Sequence, residues 1–295
     1  MANPKIAFII NPNSGTTDKK ALPDTIRRVL GEGYDTHPVF TKYAGHAKEI
    51  VRQLIDQGFR YVVACGGDGT VNEIASAMVN TDAAMGIIPF GSGNGLARHL
   101  NIPMNVEAAI KLVGELHVQS IDYGMANDHM FFCTCGTGFD AHISHEFSKD
   151  GKRGFFTYLK VMAREFWKYK SYVYELSNKN MTIVQKAFLI TFANASQYGN
   201  NAYIAPHASA QDGRMEVCIM KPFWYTSVPN IAFRLMTKSI EHSRHFSILK
   251  TSEVTLRRPC SGEFHIDGDP VMEGKEINIK IIPKALKVIC KAGTK

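Results

Sequence analysis

The chain has 295 residues, of which 45% are hydrophobic and 21% are charged. This is the composition of an ordinary folded protein, and it excludes collagen-like, coiled-coil and largely disordered chains. Lysine and arginine (34) outnumber aspartate and glutamate (27). The resulting net charge of +7 favours an anionic partner without choosing among nucleic acid, nucleotide and membrane surface.

The sequence carries no sign of export or of a membrane span. Its first apolar run, residues 6–10, is shorter than the apolar region of about 7–15 residues found in signal peptides. No window approaches the roughly 18 uninterrupted apolar residues of a spanning helix. We therefore predict a cytoplasmic protein that is peripheral at the membrane.

The first part of the chain alternates strand and helix patterns. The predicted strands are 5–10, 35–40, 60–65 and 85–89, and the predicted helices are 47–57, 71–79 and 106–116. Strand, loop and helix repeated in this way are typical of an α/β unit with a parallel sheet. We assign this domain to residues 1–125.

From residue 126 the pattern changes to longer strand-like runs, which predict a mostly β domain over residues 126–284. The predicted strands are 129–135, 171–177, 181–193, 214–220, 253–258 and 276–282, and two helical stretches lie near 154–168 and 226–238. The last segment, 285–295, is a candidate to return to the first domain.

A glycine-rich loop carries the first chemical signal. The predicted strand 60–65 runs into Gly66-Gly67-Asp68-Gly69-Thr70 and then into a helical pattern. Glycines before a helix start expose backbone N–H groups next to the positive end of the helix dipole, which suits nucleotide phosphates. Asp68 could hold Mg²⁺ there. The alternative is a plain glycine-rich connection in which Asp68 only shapes a turn.

A second loop of this kind, Gly91-Ser92-Gly93-Asn94-Gly95, follows the next predicted strand. Because the carboxyl ends of parallel strands share one edge of a sheet, both loops would face one crevice, where open α/β folds bind ligands. A third loop, Asn11-Pro12-Asn13-Ser14-Gly15, and Thr41 follow the first two strands at the same edge. None of these loops is a P-loop or a dinucleotide fingerprint, so a different phosphate chemistry is indicated.

Six motifs are spread over nearly the whole chain. They are Asn11-Pro12-x-Ser14-Gly15, Gly66-Gly67-Asp68-Gly69-Thr70 with Asn72-Glu73, Pro89-x-Gly91-Ser92-Gly93-Asn94, Gly138-Phe139-Asp140-Ala141, Ala205-Pro206 through Asp212-Gly213, and Asp267-Gly268-Asp269-Pro270. In these motifs and their order the chain resembles the diacylglycerol kinase catalytic family, which includes sphingosine and ceramide kinases and bacterial lipid kinases. Gly-Gly-Asp-Gly-Thr alone also occurs in NAD kinases, so the full set carries the resemblance.

The resemblance implies an α/β nucleotide-binding domain, a β-sandwich second domain and an active site in the cleft between them. It also implies ATP as the phosphate donor, Asp269 as the general base, and a structural Mg²⁺ held by Asp212 with the backbone carbonyls of Ser209 and Arg214. The positions that it implies for ATP binding are Asn11, Thr41, Gly66, Gly67, Asp68, Gly69, Thr70, Val71, Asn72 and Ser92.

Two positions depart from the family pattern. Many bacterial diacylglycerol kinases have Asn-Asp where this chain has Asn94-Gly95, so an acidic member of their magnesium and water network is missing. The sphingosine kinases are more similar to this chain there. Asp269 stands where the family usually has glutamate, and its carboxylate is therefore one methylene shorter.

Transfer of a γ-phosphoryl group to an alcohol needs charge neutralisation, donors for the phosphates and a carboxylate at the attacking hydroxyl. We expect Asp68 to organise the metal and Asp269 to accept the hydroxyl proton, with an exchange of these roles left open. Each could instead cap a turn, and Asp212 also has the composition of a plain turn. His142 and His145 have metal-ligand spacing but no third candidate nearby, so no zinc site is predicted.

A basic stretch in the second domain is a candidate membrane contact. Residues 149–170 contain seven lysines or arginines against Asp150 and Glu165. This pattern describes a basic amphipathic helix able to lie on an anionic bilayer, or else a helix packed on the β domain with a solvated outer face. Nucleic acid is disfavoured as a partner because no recognition motif accompanies the stretch. The proposed apolar face consists of Phe155, Tyr158, Met162, Phe166 and Tyr169, with Lys160, Arg164 and Lys168 on another face.

The sequence thus predicts an ATP- and Mg²⁺-dependent kinase that phosphorylates a hydroxyl of a membrane lipid, either diacylglycerol or a sphingoid-type base. One alternative is a kinase of a soluble alcohol such as NAD. Another is a non-catalytic protein that binds nucleotide or lipid. The lipid and the oligomeric state cannot be read from the sequence, and a homodimer stays open.

Overall fold

A computed structural model describes residues 3–149 and 155–293, with the side chains of 155–159 left out. The chain forms two compact units. The first consists of Met1–Asp122 and Lys284–Lys295, and the second of Tyr123–Pro283. The domain limits predicted from periodicity lie within a few residues of these divisions.

The first unit is a parallel sheet with helices. Its strands run parallel in the order β2-β1-β3-β4. The predicted α/β class of this unit is confirmed. The strands are β1 (Lys5–Ile10), β2 (Asp35–Phe40), β3 (Tyr61–Gly66) and β4 (Ala84–Pro89), and the helices are α1 (Leu22–Leu30), α2 (His46–Asp56), α3 (Asp68–Met78), α4 (Gly95–His99) and α5 (Val106–Gly114).

Burial explains which elements of the first unit the sequence predicted. All six residues of β4 are buried, as are Ile6–Ile10 of β1, and such strands appear as continuous apolar runs. Helix α1 was not predicted, although Leu22, Ile26, Val29 and Leu30 have helical spacing; of these residues, Leu22 and Ile26 are buried. Helix α4 was missed because it is a five-residue turn that starts at a glycine.

The second unit contains two antiparallel sheets. One has the strand order β12-β11-β10-β7-β14-β15, and in the other β13 lies between β16 and β8, with β9 next to β8. The strands are β5 (Val118–Ala126), β6 (His129–Phe131), β7 (Thr134–Gly138), β8 (Tyr172–Asn178), β9 (Met181–Ala187), β10 (Leu189–Ala193), β11 (Met215–Met220), β12 (Phe246–Thr251), β13 (Glu253–Arg257), β14 (Gly262–Ile266), β15 (Asp269–Glu273) and β16 (Glu276–Ile289). Strand β5 begins in the first unit, which ends at Asp122, and continues into the second.

A shared apolar core joins the two sheets of the second unit. Phe192 and Phe264 from the six-stranded sheet belong to one buried cluster with Leu176, Leu256 and Ile279 from the other sheet. This packing is that of a β-sandwich, which confirms the fold expected for the second domain.

The end of β16 belongs to the first unit. Lys287 and Val288 pair in parallel with Ala84 and Met85 of β4. The Lys287 ammonium also lies 2.8 Å from the Asp82 carboxylate. The last strand of the chain therefore extends the parallel sheet beside β4.

The predicted run 181–193 is two strands in two different sheets. In β9 exposed and partly buried residues alternate, whereas every residue of β10 is buried. The difference arises because helices cover the outer face of the six-stranded sheet. A continuous apolar run does not reveal where the chain passes from one sheet to the other.

Helices cover that outer face. Helices α6 (Phe139–Lys149), α7 (Phe155–Phe166) and α8 (Val228–Met236) contribute to a second apolar cluster. Met162 and Phe166 of α7, and Tyr169 after it, pack against this cluster, while Lys160 and Arg164 are exposed. These residues favour the packed alternative for the basic helix. The predicted contributions of Phe155 and Tyr158 lie outside the described side chains.

The described helices are too short to cross a bilayer. The longest of them, α7, has 12 residues and so extends about 18 Å, against the roughly 30 Å of a hydrocarbon core. Within residues 3–149 and 155–293, no helix is long and apolar enough to span a membrane.

Asp267 explains why the predicted strand 129–135 is broken. Its carboxylate accepts backbone N–H bonds from Phe132, Cys133 and Thr134 at 2.9, 2.8 and 3.0 Å. Phe132 and Cys133 lie between β6 and β7, and Thr134 is the first residue of β7. All three donor residues are buried. The Asp267 side chain therefore replaces the strand partners that this segment lacks.

We predict that Asp267→Ala lowers the free energy of unfolding by about 3 kcal/mol, because it leaves buried N–H groups without their charged acceptor. Urea unfolding measures the change. Asp128→Ala is the matched control, since Asp128 is an exposed aspartate of the same unit. Equal losses in the two variants would contradict this role of Asp267.

Candidate functional site

The predicted loops begin side by side at one edge of the parallel sheet. In the register of the strands, Ile10 at the end of β1 lies beside Phe40 and Cys65, and Gly66 lies beside Pro89. The backbone N–H of Thr41 donates to the Ile10 carbonyl at 2.9 Å. The carboxyl ends of β1, β2, β3 and β4 therefore bring the predicted nucleotide-binding residues of the first unit to a common edge.

Glycine allows these loops to touch through their backbones. A Cβ at Gly91 would lie 2.8 Å from the Cα of Gly67, closer than real Cβ atoms come. A Cβ at Gly15, where φ is +63°, would overlap the Phe90 carbonyl oxygen. The loops after β1 and β3 thus both pack against the loop after β4, and the sequence prediction that they converge holds within this unit.

Asp68 ties the loop after β3 to the loop after β4. Its Oδ2 accepts the backbone N–H of Asn94 at 2.8 Å, and its Oδ1 accepts that of Gly95 at 2.7 Å. Burial raises the pKa of the Asp68 carboxyl above its ordinary value, and the two N–H groups act in the opposite direction. Asp68 is therefore more than a turn residue, because it holds the second loop in place.

The Asn94 side chain closes the loop after β4 on itself. Its Oδ1 accepts the N–H of Gly91 at 2.9 Å, and its Nδ2 donates to the Gly91 carbonyl at 2.7 Å. Asn94 has a φ of +51°, a left-handed conformation that asparagine tolerates better than most residues. The sequence predicted no separate role for the Asn94 side chain, whereas in the structure this side chain fixes the shape of the loop.

Asn11 connects the first loop to α3. Its Nδ2 donates to the Thr70 hydroxyl at 2.9 Å, and its Oδ1 accepts the N–H of Asn13. A Cβ at Gly66 would lie 2.5 Å from the Thr70 side chain, so the Thr70 position requires glycine there. The bond from Asn13 forms an Asx turn, and the bond to Thr70 ties this turn to the start of α3.

The start of α3 lies between these loops and has the properties of an anion site. The helix begins at Asp68, and the N–H groups of a first helical turn have no intrahelical acceptors. Gly69 and Ser92 are exposed, so an anion can approach from solvent. The remaining predicted positions are less exposed: Asn11, Gly67, Asp68 and Asn72 are partly buried, and Thr41, Gly66, Thr70 and Val71 are buried.

Lys19 is a buried cation that the sequence did not single out. Its Nζ donates to the carbonyl oxygens of Ser14 and Thr17, and it lies 4.9 Å from the centroid of the Phe90 ring. Burial lowers the pKa of this ammonium group, opposed by the charge of Asp18. Its neighbour Lys20 is exposed, and the sequence offers no signal that distinguishes the two lysines.

Asp212 occupies a turn before β11, as its composition suggested. Its Oδ1 accepts the N–H of Arg214 at 3.0 Å, and its Oδ2 lies 2.7 Å from the Lys250 ammonium. The Ser209 hydroxyl accepts the N–H of Gln211 at 3.3 Å. The ion pair between Lys250 and Asp212, the expected metal ligand, was not predicted from the sequence.

The chemistry around Asp212 still fits a small cation. Glu216 on β11 is 5% exposed, and among the described residues its Oε2 has no hydrogen-bond partner. Burial raises the pKa of Glu216, and the Lys250 charge acts against this rise. Carboxylate and carbonyl oxygens are the ligands that Mg²⁺ prefers, so the residues suit that ion, with Lys250 as its competitor.

Asp269 lies at the first position of β15, after a two-residue turn formed by Asp267 and Gly268. Both turn residues have positive φ angles, 49° and 90°, as a tight hairpin requires. The Asp269 side chain is exposed. Strands β11 and β15 are four strand positions apart, which is about 19 Å, so the Asp212 turn and Asp269 are separate features.

Residues of α6 form an ion-pair cluster with Glu263. His145, Glu146 and Glu263 have potential ligand atoms within 4.8 Å of one another, so the structure supplies a third candidate that sequence reasoning did not find. Lys149 pairs with Glu146 at 2.7 Å, and His142 Nδ1 lies 2.9 Å from Glu263. The carboxylates are thus already paired.

A cavity of about 500 Å³ in the same unit is lined by His142, Glu165, Tyr169, Tyr174, Glu263 and Met272, among others.

The Gly138-Phe139-Asp140-Ala141 motif forms a buried polar network. Asp140 Oδ2 accepts hydrogen bonds from the Thr191 and Tyr198 hydroxyls at 2.8 and 3.1 Å, and it lies 3.1 Å from His265 Nε2. Gly138, with a φ of +113°, leaves no room for a Cβ against Leu189. The motif joins the start of α6 to strands β10 and β14.

The contact between Gly15 and Phe90 can be tested by a steric change. We predict that Gly15→Ala lowers the free energy of unfolding by about 2 kcal/mol or more beyond the strain of a positive φ, because the loops must separate. Gly58→Ala is the control, since Gly58 has a φ of +84° and open space around its Cβ position. Urea unfolding compares them, and equal losses would contradict close packing at Gly15.

The raised pKa of Asp68 gives a second test, through stability against pH. A group whose folded-state pKa is raised binds more protons in the folded state, so its contribution to stability is lost as pH rises through that pKa. We expect the stability of wild type relative to Asp68→Asn to fall as the pH rises above about 4, the ordinary pKa of an aspartate, and through the raised pKa of the folded state. Urea unfolding at several pH values measures this difference, and a constant difference would contradict the expected shift.

Two models of known protein families match this chain, one in each half. Residues 5–126 match the family model of the diacylglycerol kinase catalytic domain, and residues 133–290 match that of the YegS C-terminal NAD kinase beta sandwich-like domain. A relative from Enterobacter sp. (strain 638), named "Probable lipid kinase YegS-like", is 28% identical over 290 residues. That match covers 96% of this chain and 95% of the relative.

Solved structures resemble the chain in fold. A diacylglycerol kinase structure from Bacillus anthracis str. Sterne has a TM-score of 0.79 at 20% identity, covering 99% of this chain and 98% of that one. An NAD kinase from Archaeoglobus fulgidus in complex with ATP has a TM-score of 0.54 at 12% identity, covering 98% and 95%. With both domain matches in chain order, the protein belongs to the YegS-like, diacylglycerol kinase-related family of probable lipid kinases.

Proposed function

We propose that this protein transfers the γ-phosphoryl group of ATP to a hydroxyl of a membrane lipid, either a diacylglycerol or a sphingoid-type base. The observation that carries the proposal is the contact among the three loops at the edge of the parallel sheet. Gly67 touches Gly91, Gly15 touches Phe90, and the start of α3 opens between them. Such backbone N–H groups, together with a helix dipole, bind phosphate without any lysine of a P-loop.

Each aspartate has a role in this proposal. Asp68 already uses both carboxylate oxygens to hold Asn94 and Gly95, so it is better suited to organising the nucleotide site than to accepting a proton from the lipid. Asp269 is exposed at the end of a tight hairpin, and its carboxylate can meet an incoming hydroxyl. We therefore give Asp269 the role of general base.

Mg²⁺ is part of the proposal at two places. When bound with ATP, it would neutralise charge on the phosphates, and Asp68 is the carboxylate that would face it. A second ion would be held by Asp212 with the carbonyls of Ser209 and Arg214, close to the buried Glu216. Occupation of that second place requires the Lys250 ammonium to move from the Asp212 carboxylate.

A transfer assay tests the reaction and its acceptor together. The protein is mixed with γ-labelled ATP and Mg²⁺, and the acceptors are dispersed diacylglycerol, dispersed sphingosine and soluble NAD. We expect labelled lipid and no labelled NAD. Labelled NAD in the absence of lipid would replace the proposal with a soluble-alcohol kinase. ATP binding without transfer to any acceptor would support a non-catalytic protein.

The base assignment gives a further prediction. Asp269→Asn should lower kcat by about 100-fold or more and leave the KM for ATP nearly unchanged, because the lost carboxylate acts on the acceptor hydroxyl. Asp128→Asn, at an exposed aspartate of the same unit, is the control and should retain activity. Full activity of Asp269→Asn would instead move the base role to Asp68.

A further inference from the structure

Helix α8 has an apolar face turned to solvent. Phe233 and Met236 are 64% and 68% exposed, and Val228 is 39% exposed. On its other side, Ile231 and Leu235 pack against the apolar cluster beneath the helices. The helix is therefore attached to the unit by one side and presents apolar side chains on the opposite side.

These exposed residues form one continuous stripe. At 100° per residue, Val228, Ala232, Met236, Pro229 and Phe233 fall within an arc of about 140°. All five are exposed. A helix of a globular protein normally points such a stripe at its core, so the outward stripe calls for a partner.

Aromatic side chains extend the stripe beyond the helix. Trp224 and Tyr225 immediately precede α8 and are 79% and 53% exposed. The Tyr225 ring lies 5.2 Å from the ring of Trp167, which is 71% exposed at the end of α7. Tryptophan and tyrosine are enriched at membrane–water interfaces, where their amphipathic rings fit the headgroup region.

The segment that carries the stripe has basic side chains and no acidic ones. Segment 221–238 contains Lys221, Arg234 and Lys238 and no aspartate or glutamate. Lys168, next to Trp167, is exposed and pairs with Glu165 at 3.2 Å. The following acidic residue, Glu241, pairs with His207 at 3.2 Å. The segment thus combines an exposed apolar stripe with basic side chains outside the stripe.

We propose that this surface, formed by residues 221–238 with Trp167, docks on an anionic lipid bilayer. Apolar side chains would enter the headgroup region while the lysines contact lipid phosphates. A second copy of the chain is a poorer fit, because a self-paired interface would bring the basic side chains of two such segments together. The proposal deepens the function proposed above and rests on it for the choice of a bilayer as the apolar partner.

Vesicle binding by the whole protein tests the surface without ATP or catalysis. Sedimentation with vesicles of phosphatidylcholine and phosphatidylglycerol should carry wild type down, and vesicles of phosphatidylcholine alone should carry less. We expect Phe233→Asp to weaken partitioning by about tenfold or more, because it removes an aromatic side chain that would enter the bilayer and adds repulsion from the anionic lipids. Lys221→Glu should weaken binding to the anionic vesicles only.

Matched controls come from β9. Val184→Asp changes an apolar side chain that is 65% exposed, and Lys186→Glu changes an exposed lysine. Both should bind vesicles like wild type. Equal binding by Phe233→Asp and Val184→Asp would overturn the proposal. So would a wild-type dimer in sedimentation equilibrium that Phe233→Asp dissociates, with no vesicle binding.

The outcomes separate this proposal from the kinase function. Vesicle binding that depends on Phe233, with no transfer to lipid, would support the surface and refute the function. Lipid phosphorylation with vesicle binding that is insensitive to Phe233 and Lys221 would do the reverse. The circular dichroism spectrum of each variant should match that of wild type, because the substituted side chains are exposed, and this control separates a loss of binding from a loss of folding.

Discussion

The close approach of backbones at the edge of the parallel sheet is the constraint on which the candidate site depends. Gly67 and Gly91 meet because neither has a Cβ, and the Asp68 carboxylate then reaches two N–H groups of the neighbouring loop. With this loop held, the start of α3 stays open between its neighbours. A side chain at either glycine would separate the loops and remove the hydrogen bonds that fix them.

The electrostatics of this edge follow from the same packing. Burial raises the pKa of Asp68, although two N–H groups favour its charged form. Lys19 is held beneath the loops by carbonyl oxygens, so its positive charge is fixed close to the first loop. A negative ligand at the start of α3 would therefore meet preorganised donors and a nearby cation, and it would compete with one carboxylate whose charge is costly in that position.

In the second unit, a sheet covered on both faces explains features that motifs alone do not. Asp140 is buried against Thr191 and His265, so its motif holds α6 to the sheet. Asp267 supports a break between strands, while Asp269 two residues later is exposed. The two aspartates of this motif therefore have different surroundings, because Asp267 contacts the segment between β6 and β7 and Asp269 lies at the surface. Helix α8 closes the outer layer and leaves its own apolar stripe in solvent.

Local patterns in the sequence were sufficient for the strands of the parallel sheet, its glycine loops and the mostly β character of the second unit. Apolar runs and glycines report burial and backbone freedom directly. The sequence could not decide the pairing of Asp68 with Asn94 and Gly95, the burial of Lys19 rather than Lys20, or the passage of the chain between sheets at Phe188. Each of these depends on which distant segments become neighbours, and only the tertiary structure determines that.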